Sequence, residues 1–345
     1  MEMNIDIIKD EEQLNELISR PGTEVVEMFS RIDGDIIFLG VSGKIGPYLA
    51  RMAKRACDEA GVKKRIVGVA LFDSDDQKKS IESGGIETIH GDLLDTAFLK
   101  SLPALKNIFF LAGMKFGSLD NLPLTWAVNS YLPALVAEHF HNSRIVAFST
   151  GCVYPLVPLN TGGSIESDQP VAIGEYAQSC LGRERMFEYG SNKYKTEIAL
   201  IRLNYSVELR YGVLIDIATK VINQQPVDLT MGYFNTIWQG DVNDFVLRSL
   251  EHTQSPAKII NITGPETLSV KEVALQFGKL SGVKPIFINT EAQTALLSNS
   301  SEVFRIFGKP KVPAEQVIKW ISEWLKGGGR LLGKPTHFEV RDGKY

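Results

Sequence analysis

Three glycines stand in a seven-residue turn that directly follows an apolar run of the chain. The run Asp35–Leu39 leads into Gly40-Val-Ser-Gly43-Lys44-Ile45-Gly46-Pro47, and a helical pattern comes next. Glycines at such a turn let the backbone approach a pyrophosphate, and the N-terminus of the following helix offers N–H groups and a favourable dipole. The turn therefore predicts a dinucleotide-binding loop that contains Gly40, Gly43, Lys44, Ile45 and Gly46. A glycine-rich turn without a ligand is the alternative.

The choice of dinucleotide depends on the end of the second predicted strand. A carboxylate there normally binds the adenosine ribose hydroxyls and excludes a 2′-phosphate. Ala70 occupies the expected position, and Asp73 follows three residues later. No arginine comes directly after it, although Lys78 and Lys79 are close by. The sequence therefore favours NAD, bound through Asp73, and leaves NADP open.

Strand-like runs alternate with helical patterns between residues 34 and 205. The predicted strands are Asp35–Leu39, Arg65–Leu71, Glu87–His90, Asn107–Ala112, Arg144–Ser149 and Glu197–Leu203, and the main helices are Pro47–Ala60, Leu124–Phe140 and Glu175–Tyr189. Continuous apolar strands separated by helices indicate a parallel sheet that is covered on both faces. The predicted fold class is α/β, a Rossmann-type doubly wound parallel sheet with a smaller C-terminal substrate lobe.

The pattern divides the chain into four parts. Residues 1–33 predict a helical extension with an amphipathic helix over Glu11–Ile18, and residues 34–205 predict the NAD(P)-binding domain. Residues 206–326 predict mostly a substrate-binding lobe with returning sheet elements. Its predicted elements are Val213–Asn223, Val242–His252, Lys258–Ile262, Val270–Ser281, Pro285–Ile288 and Ala314–Lys326. Residues 327–345 open with three glycines and are expected to form an extended tail.

The composition argues against several classes of partner. The 41 acidic residues outnumber the 37 lysines and arginines, whereas nucleic acids and anionic membranes bind basic faces. The apolar runs are strand-sized and the acidic start lacks a signal-peptide pattern, so we expect no membrane segment. Three cysteines give no disulfide framework in so long a chain, which predicts a cytoplasmic protein. His139 and His141 point to different sides of a helix and predict no metal site.

Motifs also follow the third and fourth predicted strands. They read Gly91-Asp92-Leu93-Leu94-Asp95 and Leu111-Ala112-Gly113-Met114-Lys115. Both resemble motifs of the extended short-chain dehydrogenase/reductase family, that of the NAD-dependent epimerases and dehydratases, and especially of UDP-galactose 4-epimerases. The GxxGxxG spacing of the glycine turn is the form that this family uses, and the likeness covers roughly residues 34–325. It implies cofactor contacts from Asp92, Leu93, Ala112, Gly113, Lys115 and Asn129.

The resemblance also implies catalytic residues at the end of the fifth predicted strand. That strand ends in Ser149-Thr150-Gly151-Cys152, and Tyr176 follows at the distance that the family uses. In the family, a Ser or Thr at the position of Thr150 holds the substrate hydroxyl and the later Tyr exchanges its proton. Thr150 and Tyr176 are therefore the implied catalytic residues, with Thr150 also contacting substrate and Ser149 contacting the cofactor.

One position departs from the family pattern. The family has a lysine four residues after the tyrosine, where it lowers the pKa of the phenol and holds the nicotinamide ribose, but this chain has Cys180. Residues 176 and 180 share a helix face, and a neutral thiol cannot stabilise a phenolate because free tyrosine titrates near ~10. We expect Lys115 to compensate, Arg183 to be too remote, and Cys180 to be a small buried residue rather than a nucleophile.

Further departures narrow the substrate. The acidic pair that follows the Thr in 4,6-dehydratases is replaced by Gly151 and Cys152, so that elimination mechanism is not expected. The arginine that binds the diphosphate in nucleotide-sugar enzymes is replaced by Ile237, which gives no support for a UDP- or dTDP-sugar. Asn204 and Arg210, after the sixth predicted strand, remain candidate substrate-binding residues.

The leading hypothesis is an NAD(P)-dependent oxidoreductase or epimerase that acts on a hydroxyl or carbonyl carbon of a sugar or sugar acid. The alternative is a non-catalytic NAD(P)-binding sensor or scaffold that has lost the lysine. The family pairs subunits through the helices that carry Asn129 and Tyr176, which implies a homodimer. On those helices we expect exposed apolar side chains at Leu135, Leu181 and Phe187.

Overall fold

The computed structural model describes residues 6–115, 117 and 119–344. The first five residues of the predicted N-terminal extension and Tyr345 at the end of the predicted tail lie outside the described residues, as do Phe116 and Ser118. No helix of the described part is both long and apolar enough to span a bilayer.

A sheet of seven parallel strands forms the centre of the molecule. The strands of the chain are β1 (Ile36–Leu39), β2 (Ile66–Ala70), β3 (Glu87–His90), β4 (Asn107–Phe110), β5 (Arg144–Thr150), β6 (Val157–Pro158), β7 (Ile198–Leu203), β8 (Ser206–Val207), β9 (Pro226–Asp228), β10 (Tyr233–Phe234), β11 (Ile237–Trp238), β12 (Lys258–Ile262), β13 (Leu268–Ser269), β14 (Ile286–Ile288) and β15 (Thr294–Ala295). The central sheet has the order β12-β7-β5-β4-β1-β2-β3, and every neighbouring pair is parallel. The strand order reverses between β1 and β4, where open parallel sheets bind their ligands.

Helices cover both faces of this sheet. They are α1 (Glu11–Ile18), α2 (Thr23–Arg31), α3 (Gly46–Glu59), α4 (Asp75–Glu82), α5 (Thr96–Ser101), α6 (Leu122–Trp126), α7 (Leu132–His139), α8 (Glu175–Tyr194), α9 (Val213–Ile222), α10 (Gln239–Arg248), α11 (Val270–Ser281), α12 (Ser301–Phe307) and α13 (Ala314–Lys326). Along β1, Ile36 and Phe38 join one buried cluster while Ile37 and Leu39 join another. Because successive side chains of a strand point to opposite faces, both faces are buried, and the predicted fold class is confirmed.

The helix predicted over Leu124–Phe140 is divided by a wide turn. Residues 127–131 form a π-helical segment between α6 and α7. Pro133 gives the physical reason, since proline has no N–H to donate to the carbonyl four residues earlier and its ring crowds that carbonyl. The carbonyl in question belongs to Asn129, and it accepts a hydrogen bond from Nε of Arg183 at 3.4 Å. The turn therefore places Asn129 against α8.

The second lobe has its own core, in which both ends of the chain take part. α9, α11 and α13 pack around a buried cluster that includes Trp238 and Trp320, whose rings lie 5.4 Å apart. Leu14 of α1 and Phe338 of the tail belong to the same cluster. β12, in contrast, returns to the central sheet beside β7. The two chain ends are thus built into the lobe that borders the carboxyl edge of the sheet.

Candidate cofactor site and active site

A cleft of about 680 Å³ lies at the carboxyl ends of β1, β4 and β5. It is bordered by the glycine turn on one side and by the segment after β7 and the C-terminal tail on the other. The structure brings to this cleft the predicted residues Gly40, Gly43, Lys44, Ile45, Gly46, Asp73, Gly113, Lys115, Ser149, Thr150, Tyr176, Asn204 and Arg210. Asp92, Leu93, Ala112 and Asn129 do not line it.

The three glycines of the turn are required for different reasons. A Cβ on Gly40, which has a φ of +88°, would lie 2.5 Å from the backbone nitrogen of Ala112, and a Cβ on Gly46 would lie 2.2 Å from the carbonyl oxygen of Val41. A Cβ on Gly43 would meet only the carbonyl oxygen of Gly40, at an ordinary 3.7 Å. Packing of the chain therefore demands glycine at two positions and leaves room at Gly43, which lines the cleft.

The N-terminus of α3 faces the same space. No side chain caps it, and Pro47 occupies its first turn, where the missing N–H costs nothing. The first N–H groups of a helix lack intrahelical partners and carry a partial positive charge. Together with the room at Gly43, this helix end forms an anion-binding cradle of the kind that holds a pyrophosphate.

Asp73 lies beside this cradle, beyond the end of β2. The side chain of Gln77 accepts from the backbone N–H of Asp73 at 2.9 Å and donates to the carbonyl of Ser42 at 3.1 Å. Gln77 therefore holds Asp73 against the glycine turn, where its carboxylate is exposed. Lys78 is directed instead to Glu82, at 3.8 Å. A carboxylate at this position suits ribose hydroxyls and repels a 2′-phosphate.

Three lysines line the cleft, one from the glycine turn, one from the end of β4 and one from the tail. Nζ of Lys44 lies 3.1 Å from the centre of the Tyr211 ring, and Nζ of Lys115 donates to the carbonyl of Thr336 at 3.4 Å. Burial, together with repulsion from Lys115 and Lys334, lowers the pKa of Lys44 to about 7. The positive potential of this region is suited to an anionic ligand.

The end of β5 places two hydroxyls with different surroundings. Oγ1 of Thr150 accepts from the backbone N–H of Cys152 at 3.1 Å, so its own proton is available for a ligand oxygen. Oγ of Ser149 donates to Glu184 at 2.5 Å. Glu184 in turn pairs with Arg202 at 2.7 Å, and both side chains are almost wholly buried. Ser149 is therefore tied to the protein, and Thr150 is the better placed of the two to bind substrate.

Tyr176, in the first turn of α8, reaches the same cleft as Thr150. Burial raises the pKa of its phenol well above the usual value, and neighbouring Cys180 and Cys152 raise it further. Cys180 is hydrogen-bonded to Tyr176, and burial raises the pKa of its thiol to about 11. Both groups therefore keep their protons at neutral pH. Tyr176 is set up as a hydrogen-bond or proton donor, and Cys180 is a buried thiol rather than a nucleophile.

Arg183 and Asn129 form the wall behind the cleft. The guanidinium of Arg183 donates to the carbonyl of Phe148 at 2.8 Å and to Oδ1 of Asn129 at 2.7 Å, and it lies directly behind Gly113. Asn129 also bonds to both backbone polar groups of Met114. The expectation that Arg183 is too remote is wrong in one respect, because its charge lowers the pKa of Tyr176, although less than burial raises it.

Asn204 and Arg210 reach the cleft with their side chains already engaged. Nδ2 of Asn204 donates to Oδ1 of Asn235 at 2.8 Å. Arg210 donates to Glu208, to Tyr48 and, at 3.0 Å, to Glu11 of α1. Arg210 therefore fastens the N-terminal helix to the rim of the cleft.

The predicted adenine-binding turn lies outside the cleft. Oδ1 of Asp92 accepts from the backbone N–H of Leu94 at 2.9 Å, while the side chain of Leu93 is buried in the core beneath the sheet. Ala112 packs against that same core. Among the described residues, no group of three or more potential ligands could hold a metal ion.

Several residues of the site were not predicted from the sequence. Gln77 stands four residues after Asp73, where a helical side chain can return to the preceding loop, and that spacing could have revealed it. Gln239 and Ser206 line the cleft with buried donor atoms, and no local motif marks them. The same holds for Lys334, which is brought to the cleft only by the path of the tail.

The strand order and the glycine turn after β1 define a Rossmann-type fold of the extended short-chain dehydrogenase/reductase kind. A UDP-glucose 4-epimerase from Thermotoga maritima, determined with UDP-glucose, matches with a TM-score of 0.70 and 15% identity over 85% of this chain and 99% of its own. A dTDP-glucose 4,6-dehydratase from Streptomyces venezuelae with NAD bound matches with a TM-score of 0.69 and 16% identity over 85% and 97%.

An epimerase from Methanothermobacter thermautotrophicus matches with a TM-score of 0.69 and 21% identity, over 89% of this chain and 96% of its own. Neither protein-family models nor curated proteins match the sequence. At these identities the likeness establishes the fold, and the fold implied by the resemblance is confirmed.

Proposed function

We propose that the protein binds NAD in this cleft and is an NAD-dependent oxidoreductase or epimerase. The observation that carries the proposal is Gly43, a glycine that packing of the chain does not require and that stands at the helix end where a pyrophosphate would lie. Asp73, held against the same turn, supports NAD over NADP. The dehydratase of the same fold was crystallised with NAD.

The reacting side chains proposed here are Thr150 and Tyr176. When bound, a nicotinamide supplies the hydride chemistry. Thr150 holds the substrate oxygen, and Tyr176 donates to it. Because the pKa of the phenol is raised, Tyr176 is better suited to protonating a carbonyl oxygen than to deprotonating a hydroxyl. Lys115 supplies positive charge to the cleft that Cys180 cannot supply.

The proposed substrate carries a hydroxyl or carbonyl carbon of a sugar or sugar acid. The structures of the same fold are named for nucleotide sugars, but the position of the family's diphosphate arginine is held by Ile237, a buried residue of β11. Gly151 and Cys152 offer no acid and base for an elimination. Substrate tests therefore need both free and nucleotide-linked sugars.

Replacing Tyr176 with Phe tests the catalytic proposal. With the best sugar found by following absorbance of the reduced nicotinamide, Tyr176→Phe is expected to lower turnover at least about 100-fold, the usual contribution of a general acid or base. The affinity for NAD should stay within about twofold, because the phenol is not part of the phosphate cradle. Unchanged turnover would refute the role of Tyr176.

A homodimer is proposed through the faces of α6, α8 and the π-helical segment between α6 and α7. These elements expose large apolar side chains at Leu122, Leu124, Trp126, Tyr131 and Tyr189. The expectation for Phe187 is wrong, since this side chain is fully buried and packs 5.2 Å from Phe110. A cytoplasmic location is proposed as well, supported by three free cysteines and testable by cell fractionation.

A further inference from the structure

The C-terminal tail is fastened to the second lobe on both sides of Lys334. On one side, the backbone N–H of Leu332 donates to the carbonyl of Arg210 at 3.0 Å. On the other, the backbone N–H and the hydroxyl of Thr336 donate to Asp216 at 2.8 and 2.6 Å. Two residues further on, Phe338 is buried against Phe234, with ring centres 6.1 Å apart. The tail therefore presents Lys334 to the cleft from a fixed position.

Two buried donors line the same cleft. Nε2 of Gln239, a side chain that is only 4% exposed, and Oγ of Ser206 have no hydrogen-bond partner among the described residues. Leaving a buried donor unsatisfied is costly, and native proteins rarely do so without a reason. Both atoms can donate to an oxygen. A ligand rich in acceptor oxygens would satisfy them.

The nearby carboxylates are occupied by other parts of the protein. Asp216 accepts from Thr336, and Glu208 is bound to Arg210 at 3.0 Å. Both carboxylates attract the ammonium of Lys44, while Lys115 and Lys334 repel it. The groups that face the cleft here are therefore three ammonium groups and two uncharged donors, a set that matches phosphoryl oxygens.

We infer that the tail completes a phosphoryl-binding subsite in which Lys44, Lys115 and Lys334 supply positive charge and Gln239 and Ser206 supply buried donors. This inference rests on the proposed function, because the phosphoryl group belongs either to the cofactor or to an anionic substrate. It assigns to a tail lysine the contact with phosphate that the missing arginine at Ile237 cannot make. The ligand class is a diphosphate ester.

The test compares Lys334→Gln with two matched variants. Lys334→Arg keeps the charge at the same place, and Lys344→Gln removes a charge from the same tail where the side chain is exposed and pairs with Asp342. Lys334 is also exposed, so its replacement should leave folding intact, which thermal unfolding checks. Each protein is titrated calorimetrically with NAD⁺, with inorganic pyrophosphate alone, and with pyrophosphate after saturation with NAD⁺.

The expected result is a loss of about tenfold in affinity for Lys334→Gln, with Lys334→Arg and Lys344→Gln close to wild type. A loss toward NAD⁺ assigns the subsite to the cofactor, and a loss confined to pyrophosphate on the NAD⁺-saturated protein assigns it to the substrate. Wild-type binding of pyrophosphate but not of NAD⁺, lost in Lys334→Gln, would support the subsite while the proposed function failed. Equal affinities of Lys334→Gln and wild type in all three titrations would overturn the inference.

Discussion

At the scale of single residues, the chemistry depends on what surrounds the phenol of Tyr176. A lysine one turn later would favour the phenolate, whereas Cys180 and Cys152 leave the phenol in an uncharged, buried setting. Arg183 is the nearest cation named among the causes of its pKa, and its guanidinium is held by Phe148 and Asn129. The result is a tyrosine that keeps its proton across the physiological range.

The pKa of Tyr176 can be measured by titrating absorbance at 295 nm and subtracting the curve of Tyr176→Phe. In the wild type we expect no phenolate from Tyr176 below the ordinary value of about 10. Cys180→Lys should lower the pKa, because a positive charge favours the phenolate. Cys180→Met, which has a long but uncharged side chain, should not. Ionisation of Tyr176 below pH 10 in the wild type would contradict this account.

The departure at Cys180 was visible in the sequence, because position and residue type suffice to see that a lysine is missing. Its consequence was not. Whether a cation reaches the phenol depends on Arg183, which is seven residues away along α8 but is turned toward β5 by its bonds to Phe148 and Asn129. Spacing along a helix gives the face of a residue and does not give the reach of a long side chain.

At the scale of elements, the sequence predicted the sheet and most of its helices. β3, β12, α1, α11 and α13 begin and end at the predicted residues, because turn residues and apolar periodicity mark their ends. α8 runs five residues beyond the predicted end, to Tyr194. The π-helical segment could not be predicted, since Pro133 signals a disturbance of the helix without specifying its form.

The exposed apolar face of α6, α8 and the intervening π-helical segment predicts the association state. Sedimentation velocity should give a dimer rather than a monomer of 38.2 kDa, because large apolar patches on a surface mark interfaces. Tyr131→Glu should yield the monomer by burying a charge in the interface. Leu275→Glu replaces an equally exposed apolar residue of α11 and should leave the dimer intact. A monomeric wild type would exclude the proposed dimer.

At the scale of the whole molecule, the cleft is assembled from segments that are far apart in the sequence. Lys44 and Lys115 come from turns of the Rossmann sheet, whereas Lys334 comes from the tail. Glu11 of α1 joins the rim through Arg210 and Arg330. Motifs identified the first group because the turns are local. No local pattern identified the second group, whose positions follow from the packing of both chain ends into the second lobe.

The most direct test of the central claim is calorimetric titration of the wild type and Gly43→Ala with NAD⁺ and NADP⁺, after removal of any cofactor carried through purification. We predict saturable binding of NAD⁺ to the wild type at one site per chain, with weaker binding of NADP⁺ because of Asp73. Gly43→Ala should keep the unfolding temperature of the wild type, since a Cβ there has room, but lose about tenfold or more in affinity because that Cβ occupies the pyrophosphate cradle. A wild type that binds neither dinucleotide, or a Gly43→Ala variant that binds NAD⁺ as tightly as the wild type, would contradict the account.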